Sequence, residues 1–367
     1  MLLSKYNGWE VLPLKRIVLT GGGTAGHVTP NIALIPELLK EGWDIHYIGT
    51  KNGIERGLIA REKFVTYHSI QSGKLRRYMD IKNFTDPFKV IYGVGQAANL
   101  IKKLKPQVIF SKGGFVSVPV VIGGWVNRVP IVIHESDITP GLANRICYPF
   151  AKKVCTTFPE TAKDLKGDKW VHTGTPIRKE LLNGNPEVGR KLCGFTSNRP
   201  VLMVMGGSLG AVAINNHIRK VLKTLLNRFQ VVHICGRNNI DPSLEGIPGY
   251  KQFEYVNEEL SHIMAMADVI VSRAGANSIY EFLALRKPNL LIPLPLSASR
   301  GDQILNAQSF ERQGYSKMIK QEDLNEDVLL TSIITLYNNR QRYIDAMSTQ
   351  DHTKGVERIL NVIKSCL

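Results

Sequence analysis

His27 stands at the far edge of a glycine-rich loop, within Lys15 to Pro30, KRIVLTGGGTAGHVTP, and this is where the sequence most plainly offers chemistry. An imidazole titrates near neutral pH, so beside such a loop it is suited to take a proton from a substrate. Gly21, Gly22 and Gly23 follow Ile17, Val18 and Leu19, an apolar run with the composition of a strand buried on both faces. Glycines there permit positive φ and let backbone N–H groups approach an anion, while a helix opening near Thr29 and Pro30 turns its positive end to the same point. Gly21, Gly23 and Gly26 also satisfy G-x-G-x-x-G, the spacing of a dinucleotide site. That site wants an acid at the end of the second strand, and here Asp44 sits at the beginning of Trp43 to Ile48. No Gly-Lys-Ser/Thr follows the glycines, which excludes a Walker loop.

Further residues of the same kind recur along the chain. Gly206 to Gly210 can place backbone N–H groups and the Ser208 hydroxyl around a diphosphate, or make only a tight strand-to-helix turn. Glu281, one to two turns into a helix opened by Arg273-Ala274-Gly275-Ala276-Asn277-Ser278, is placed to accept two ribose hydroxyls or to form a surface ion pair. Asp302 and Gln303 suit sugar hydroxyls, with N-capping as the competing role of Asp302. Arg178 can neutralise a phosphate or stand solvated. Glu135 and Asp137 end another strand-like run and are alternatives to His27 as base, and Lys112-Gly113-Gly114 makes a further glycine turn.

These residues need elements to hold them. Strand-like runs at Ile17–Thr20, Ile45–Ile48, Val108–Ser111, Ile131–His134 and Lys153–Thr156 alternate with helix-length segments. The plan restarts at Val201–Met205 and continues through Val231–Cys235, Phe253–Val256, Val269–Ser272 and Leu290–Pro293. The pattern predicts an α/β fold of two tandem domains with parallel sheets. An N-terminal extension over 1–14, a first domain over 15–172, a second over 173–340 and a helical segment over 341–367 that packs back on the first are the expected parts, with the join within His172 to Arg178. A ligand between two such domains meets the carboxyl ends of both sheets.

Composition narrows the classes. Hydrophobic residues make up 43% of the 367 and charged residues 21%, which suits a folded globular protein. The longest apolar stretches fall short of the ~20 residues that span a bilayer. Five cysteines without C-x-x-C spacing argue against a zinc site and a disulfide framework. The net charge of +16 is concentrated in residues 1–175, with 24 Lys and Arg against 13 Asp and Glu. Lys74, Arg76, Arg77, Tyr78, Lys82, Phe84, Phe88 and Lys89 mix basic and apolar character, as an anionic membrane surface would require or as a solvated helix face would show. No nucleic-acid-binding module accompanies the charge.

With the segments GGGTAGHVTPN, SKGGFVSVP, HESDITPGLANR, TGTPIR, GGSLGAVAIN, RAGANSIYE and GDQILNAQ in order, the chain from about Lys15 onward resembles the MurG family of peptidoglycan N-acetylglucosaminyltransferases, within glycosyltransferase family 28, in the form found in low-GC Gram-positive bacteria. The resemblance implies a GT-B architecture, two Rossmann-like domains around a deep cleft, with inverting chemistry and neither cofactor nor bound metal. It implies GlcNAc transfer from UDP-GlcNAc to undecaprenyl-diphospho-MurNAc-peptide, lipid I, to give lipid II, at the cytoplasmic face of the cell membrane as a peripheral protein. Other cell-wall synthesis proteins are further partners it allows. It assigns Gly207, Ser208 and Leu209 to the diphosphate, Glu281 to the ribose, and Tyr255 with Val256 to the uracil. Asp302 and Gln303 go to GlcNAc hydroxyls, while Arg178, Asn277, Ser278 and Thr24, Ala25 and Gly26 complete the nucleotide-sugar site and His27 faces the acceptor. Phe115 and Asp137 depart from the Gram-negative pattern, which has Tyr and Asn there. The competing functions are transfer to another lipid or small-molecule acceptor, a UDP-GlcNAc 2-epimerase and a dehydrogenase.

Overall fold

The computed structural model describes residues 15–73, 82–163, 167–196, 198–207 and 211–367, with backbone alone for 82–88 and 162–163. The first strands are β1 (Arg16–Thr20), β2 (Asp44–Thr50), β3 (Val65–Ile70), β4 (Val108–Ser111), β5 (Ile131–Glu135), β6 (Lys153–Thr156) and β7 (Trp170–His172). They form one seven-stranded sheet in the order β3-β2-β1-β4-β5-β6-β7. The six strands that follow are β8 (Val201–Met205), β9 (Gln230–Ile234), β10 (Tyr250–Phe253), β11 (Val269–Ser272), β12 (Asn289–Leu291) and β13 (Ser316–Met318), ordered β10-β9-β8-β11-β12-β13. Pairing is parallel through β3-β2-β1-β4-β5 and throughout the second sheet.

Burial explains which runs became central strands. Ile17, Val18 and Leu19 of β1 and Val108, Ile109 and Phe110 of β4 are fully buried, as are Leu202, Met203 and Val204 of β8 and Val269, Ile270 and Val271 of β11. In both sheets the strand order reverses at the first strand, β1 or β8, which lies between the second and fourth strands of its half. That reversal opens a crevice at the carboxyl ends of the strands, where ligands of open α/β sheets bind. The loops singled out from the sequence all lie at such ends.

Three details differ from the sequence reading. Phe253–Val256 is not a strand, since β10 ends at Phe253 and Tyr255 and Val256 lie in the loop beyond it. The edge strands β3, β7 and β13 were not anticipated, and β12 ends at Leu291, two residues early. The chain divides into two compact units, residues 1–134 with 142–154 and 362–367, and residues 135–141 with 155–361, so His172 to Arg178 lies inside the second unit. The last helix, Gly355–Lys364, runs into the first unit's final segment, where Lys364 pairs with Glu41 at 2.5 Å and Lys152 donates to the Cys366 carbonyl.

Candidate active site

In the first unit, β1 delivers the glycine loop into the sheet's switch point, and a short 3-10 turn, Ala25–His27, leads into the helix Thr29–Lys40 with proline in its first turn. Gly23 has φ +85°, a conformation that needs glycine. Gly23 and Thr24 are exposed, and Ala25, Gly26 and His27 are half-buried. His27 Nδ1 is 3.0 Å from the Gly22 carbonyl and 3.1 Å from Thr24 Oγ1. A carbonyl only accepts, so the contact with Gly22 is a hydrogen bond in the tautomer that carries its proton on Nδ1, whereas the Thr24 hydroxyl can pair with either tautomer.

The loop after β4 packs against this one backbone to backbone. Gly22 N–H donates to the Gly113 carbonyl at 3.3 Å, and a Cβ on Gly114 would stand 2.2 Å from the Gly22 oxygen. Gly23 N–H donates to Glu55 Oε2. The N–H groups of Gly22 and Gly23, expected to face an anion, are thus bonded within the chain, to the Gly113 carbonyl and to the buried Glu55 carboxylate.

In the second unit, Glu135 directs Oε1 to the N–H groups of Ser136 and Asp137 and Oε2 to that of Gly141, so its carboxylate shapes its own loop. Asp137 accepts from Asn306 Nδ2 at 3.0 Å, and the same amide nitrogen donates to the Ala274 carbonyl at 3.2 Å. Buried Asn306 thereby joins the Asp137 loop, the loop after β11 and the helix Asp302–Arg312, a role its sequence position did not suggest. Arg273, also buried, donates to the carbonyls of Ile292 and Pro293 and to Gln321, fixing the proline-rich loop before that helix. Gln303 Oε1 accepts from Leu294 N–H at 3.1 Å. Gly301, with φ +84°, holds the N-cap position, so Asp302 is not the cap; it stands in the first turn, 3.6 Å from Arg300.

Glu281 lies on the helix Ala276–Ala284, one turn beyond Asn277 and Ser278, its side chain 15% exposed. Burial pushes its carboxyl up to about 6, with Arg178 pulling the other way from 3.9 Å. That distance leaves an open carboxylate rather than a closed ion pair. Arg178 Nε is buried without a hydrogen-bond partner. Tyr280 locks the same helix in place: its hydroxyl donates to the Thr157 carbonyl and its ring packs edge-on against Phe158 and Phe310. Tyr255 is exposed, whereas Val256 is buried in the apolar cluster that also holds Ile279. Gly207 ends the described part of its loop; Ser208 and Leu209 lie outside the described residues, as do Lys74, Arg76, Arg77 and Tyr78 and the side chains of Lys82, Phe84 and Phe88. Among the described residues no cluster of His, Cys, Asp and Glu could hold a metal ion.

Residues 17–156 match the N-terminal domain of glycosyltransferase family 28, and residues 201–363 match its C-terminal domain. The chain belongs to glycosyltransferase family 28. A relative from Clostridium tetani, named UDP-N-acetylglucosamine--N-acetylmuramyl-(pentapeptide) pyrophosphoryl-undecaprenol N-acetylglucosamine transferase, is 56% identical over 350 residues, 95% of this chain and 98% of its own. Among solved structures, MurG of Acinetobacter baumannii superposes with a TM-score of 0.74 at 24% identity, over 96% of this chain and 99% of that one. A UDP-GlcNAc 2-epimerase of Neisseria meningitidis superposes at 0.69 and 12% identity, over 95% of this chain and all of that one. Transferase and epimerase alike superpose on this chain, so the fold alone does not fix the activity.

Proposed function

We infer that this chain transfers N-acetylglucosamine from UDP-GlcNAc to the C4 hydroxyl of undecaprenyl-diphospho-N-acetylmuramoyl peptide, inverting the anomeric carbon and releasing UDP. The observation that carries this reading is the near full-length identity to a relative named for that transfer.

The donor belongs to the second unit. Glu281 accepts the ribose hydroxyls, a role supported by its open, ionisable carboxylate on a helix pinned by Tyr280. Arg178, with Gly207, Ser208 and Leu209, neutralises the diphosphate; Tyr255 and Val256 flank the uracil, and Asn277 and Ser278 line the helix entrance. Asp302 and Gln303 hold GlcNAc hydroxyls. The acceptor hydroxyl gives its proton to His27 Nε2 as its oxygen attacks the face of the sugar opposite UDP. Thr24, Ala25 and Gly26 complete the nucleotide-sugar site. Glu135, with both oxygens already bonded to backbone N–H groups, is a poorer base than His27, and Asp137 already accepts from Asn306.

The acceptor's lipid tail calls for a membrane surface. No described helix is long and apolar enough to cross one. Peripheral docking on the cytoplasmic face fits the apolar side chains exposed on the helices Lys82–Leu104 and Ser117–Val126, namely Ile91, Tyr92, Trp125 and Val126, with Lys89 alongside. His27→Ala tests the assignment of the base: turnover with a lipid I analogue falls by about 10²–10⁴-fold while UDP-GlcNAc affinity is kept. Retained turnover, or lost donor binding with turnover intact, removes His27 from that role.

A further inference from the structure

Glu55 is 1% exposed, yet among the described residues its carboxylate meets no cation in hydrogen-bond contact. It sits in a cage made by three glycines. A Cβ on Gly22 would come within 2.7 Å of its carboxyl carbon, one on Gly53 within 2.3 Å, and one on Gly49 within 2.8 Å of its Cγ. Oε1 accepts from the Thr50 N–H at 2.9 Å and the Thr50 hydroxyl at 2.6 Å, and Oε2 accepts from the Gly23 N–H at 3.3 Å. Burying a carboxylate this deeply is costly, and a merely structural link between two loops does not need a charge.

The Gly22–Gly23 peptide gives the charge a purpose. Gly23 supplies its N–H and Gly22 its carbonyl, and in a trans peptide the two point in opposite directions. Glu55 takes the N–H on one side; His27 Nδ1 meets the carbonyl on the other. We propose that Glu55 is a positioning residue for His27, its buried carboxylate aligning and polarising the Gly22–Gly23 peptide so that the Gly22 carbonyl holds the Nδ1–H tautomer, in which Nε2 is the nitrogen that takes the acceptor's proton. A carboxylate bonded directly to a catalytic imidazole does the same two things; here one peptide group is interposed. The inference rests on His27 being the base.

The other titratable groups facing Glu55 do not share the task. Tyr67, whose hydroxyl donates to the Thr50 carbonyl, and Tyr47, whose hydroxyl donates to the Gly21 carbonyl, are both held protonated by burial, with the Glu55 charge adding to the effect. Arg56, next along the chain, is exposed and bonds the Lys51 carbonyl.

Three measurements on the full chain test this. In Glu55→Gln, which removes the charge at nearly constant volume, kcat with UDP-GlcNAc and a lipid I analogue falls roughly tenfold or more, KM for UDP-GlcNAc stays within about twofold, and the acid limb of the kcat profile moves to lower pH because the imidazolium has lost its counter-charge. Glu55→Asp keeps the charge and restores the parent's acid limb even where kcat stays reduced. In the unaltered protein, ¹⁵N NMR above the titration of His27 shows the Nδ1–H tautomer. An unshifted acid limb in Glu55→Gln reduces Glu55 to a structural tie, and a predominant Nε2–H tautomer overturns the proposal even if Glu55→Gln does not fold. Full turnover in His27→Ala, by contrast, would strike the base assignment while leaving the tautomer result to decide the relay.

Discussion

At the scale of single residues, Glu281 shows how a binding site can cost stability. A carboxyl held near 6 in the folded protein, against its ordinary 4.5, binds its proton more tightly there than in the unfolded chain. Its contribution is therefore full below about pH 4.5 and lost as pH rises through 6. At pH 7 the burial penalty is about 1–2 kcal/mol, which ribose hydroxyls would relieve if Glu281 holds the donor as proposed. Glu281→Gln is accordingly at least as stable as the parent at pH 7 in a thermal melt without ligand, yet binds UDP-GlcNAc about tenfold or more weakly by titration calorimetry. A variant that melts lower and binds normally would make Glu281 a structural ion-pair partner of Arg178. Donor affinity of the parent weakens as pH falls below about 6, because the protonated carboxyl loses an acceptor.

At the scale of elements, the loops matter because they touch. A methyl group on Gly114, where φ is +83°, would meet the Gly22 carbonyl at 2.2 Å, so Gly114→Ala strains both loops and destabilises the first unit by about 2 kcal/mol or more in denaturant unfolding. Unchanged stability would mean that the two loops do not pack as described. The sequence made the central strands legible because runs such as Ile17 to Leu19 and Val201 to Met205 are buried on both faces and read as unbroken apolar runs. It did not reveal the edges. β3 buries only Ile70 and breaks its alternation at His68-Ser69, β7 and β13 are three residues long, and Tyr250–Phe253 keeps only Tyr250 deeply buried, so none carries a strong pattern. His27, Glu281, Asp302 and Gln303 were legible because each follows a glycine turn at a strand's carboxyl end. Glu55, Asn306 and Arg273 were not, since each acts on backbone groups distant in sequence; Glu55 beside Arg56 reads as a surface charge, and only the flanking Gly49 and Gly53 hint otherwise.

At the scale of the whole molecule, the proposed docking on an anionic lipid–water interface rests on a charge of +16 weighted to the first half and on apolar side chains exposed on the first unit. The chain should sediment with vesicles containing anionic phospholipid, less so with neutral ones, and salt should weaken that binding. Trp125→Ala should reduce it without changing UDP-GlcNAc affinity. Equal binding to neutral vesicles would leave the basic excess without a role at the membrane. The most direct test of the central claim is UDP release by the purified full chain given UDP-GlcNAc with and without a lipid I analogue. Release that requires the acceptor and yields a β-linked disaccharide-lipid is the predicted result; release of ManNAc or its UDP form without acceptor, or no acceptor-dependent release at all, would contradict it.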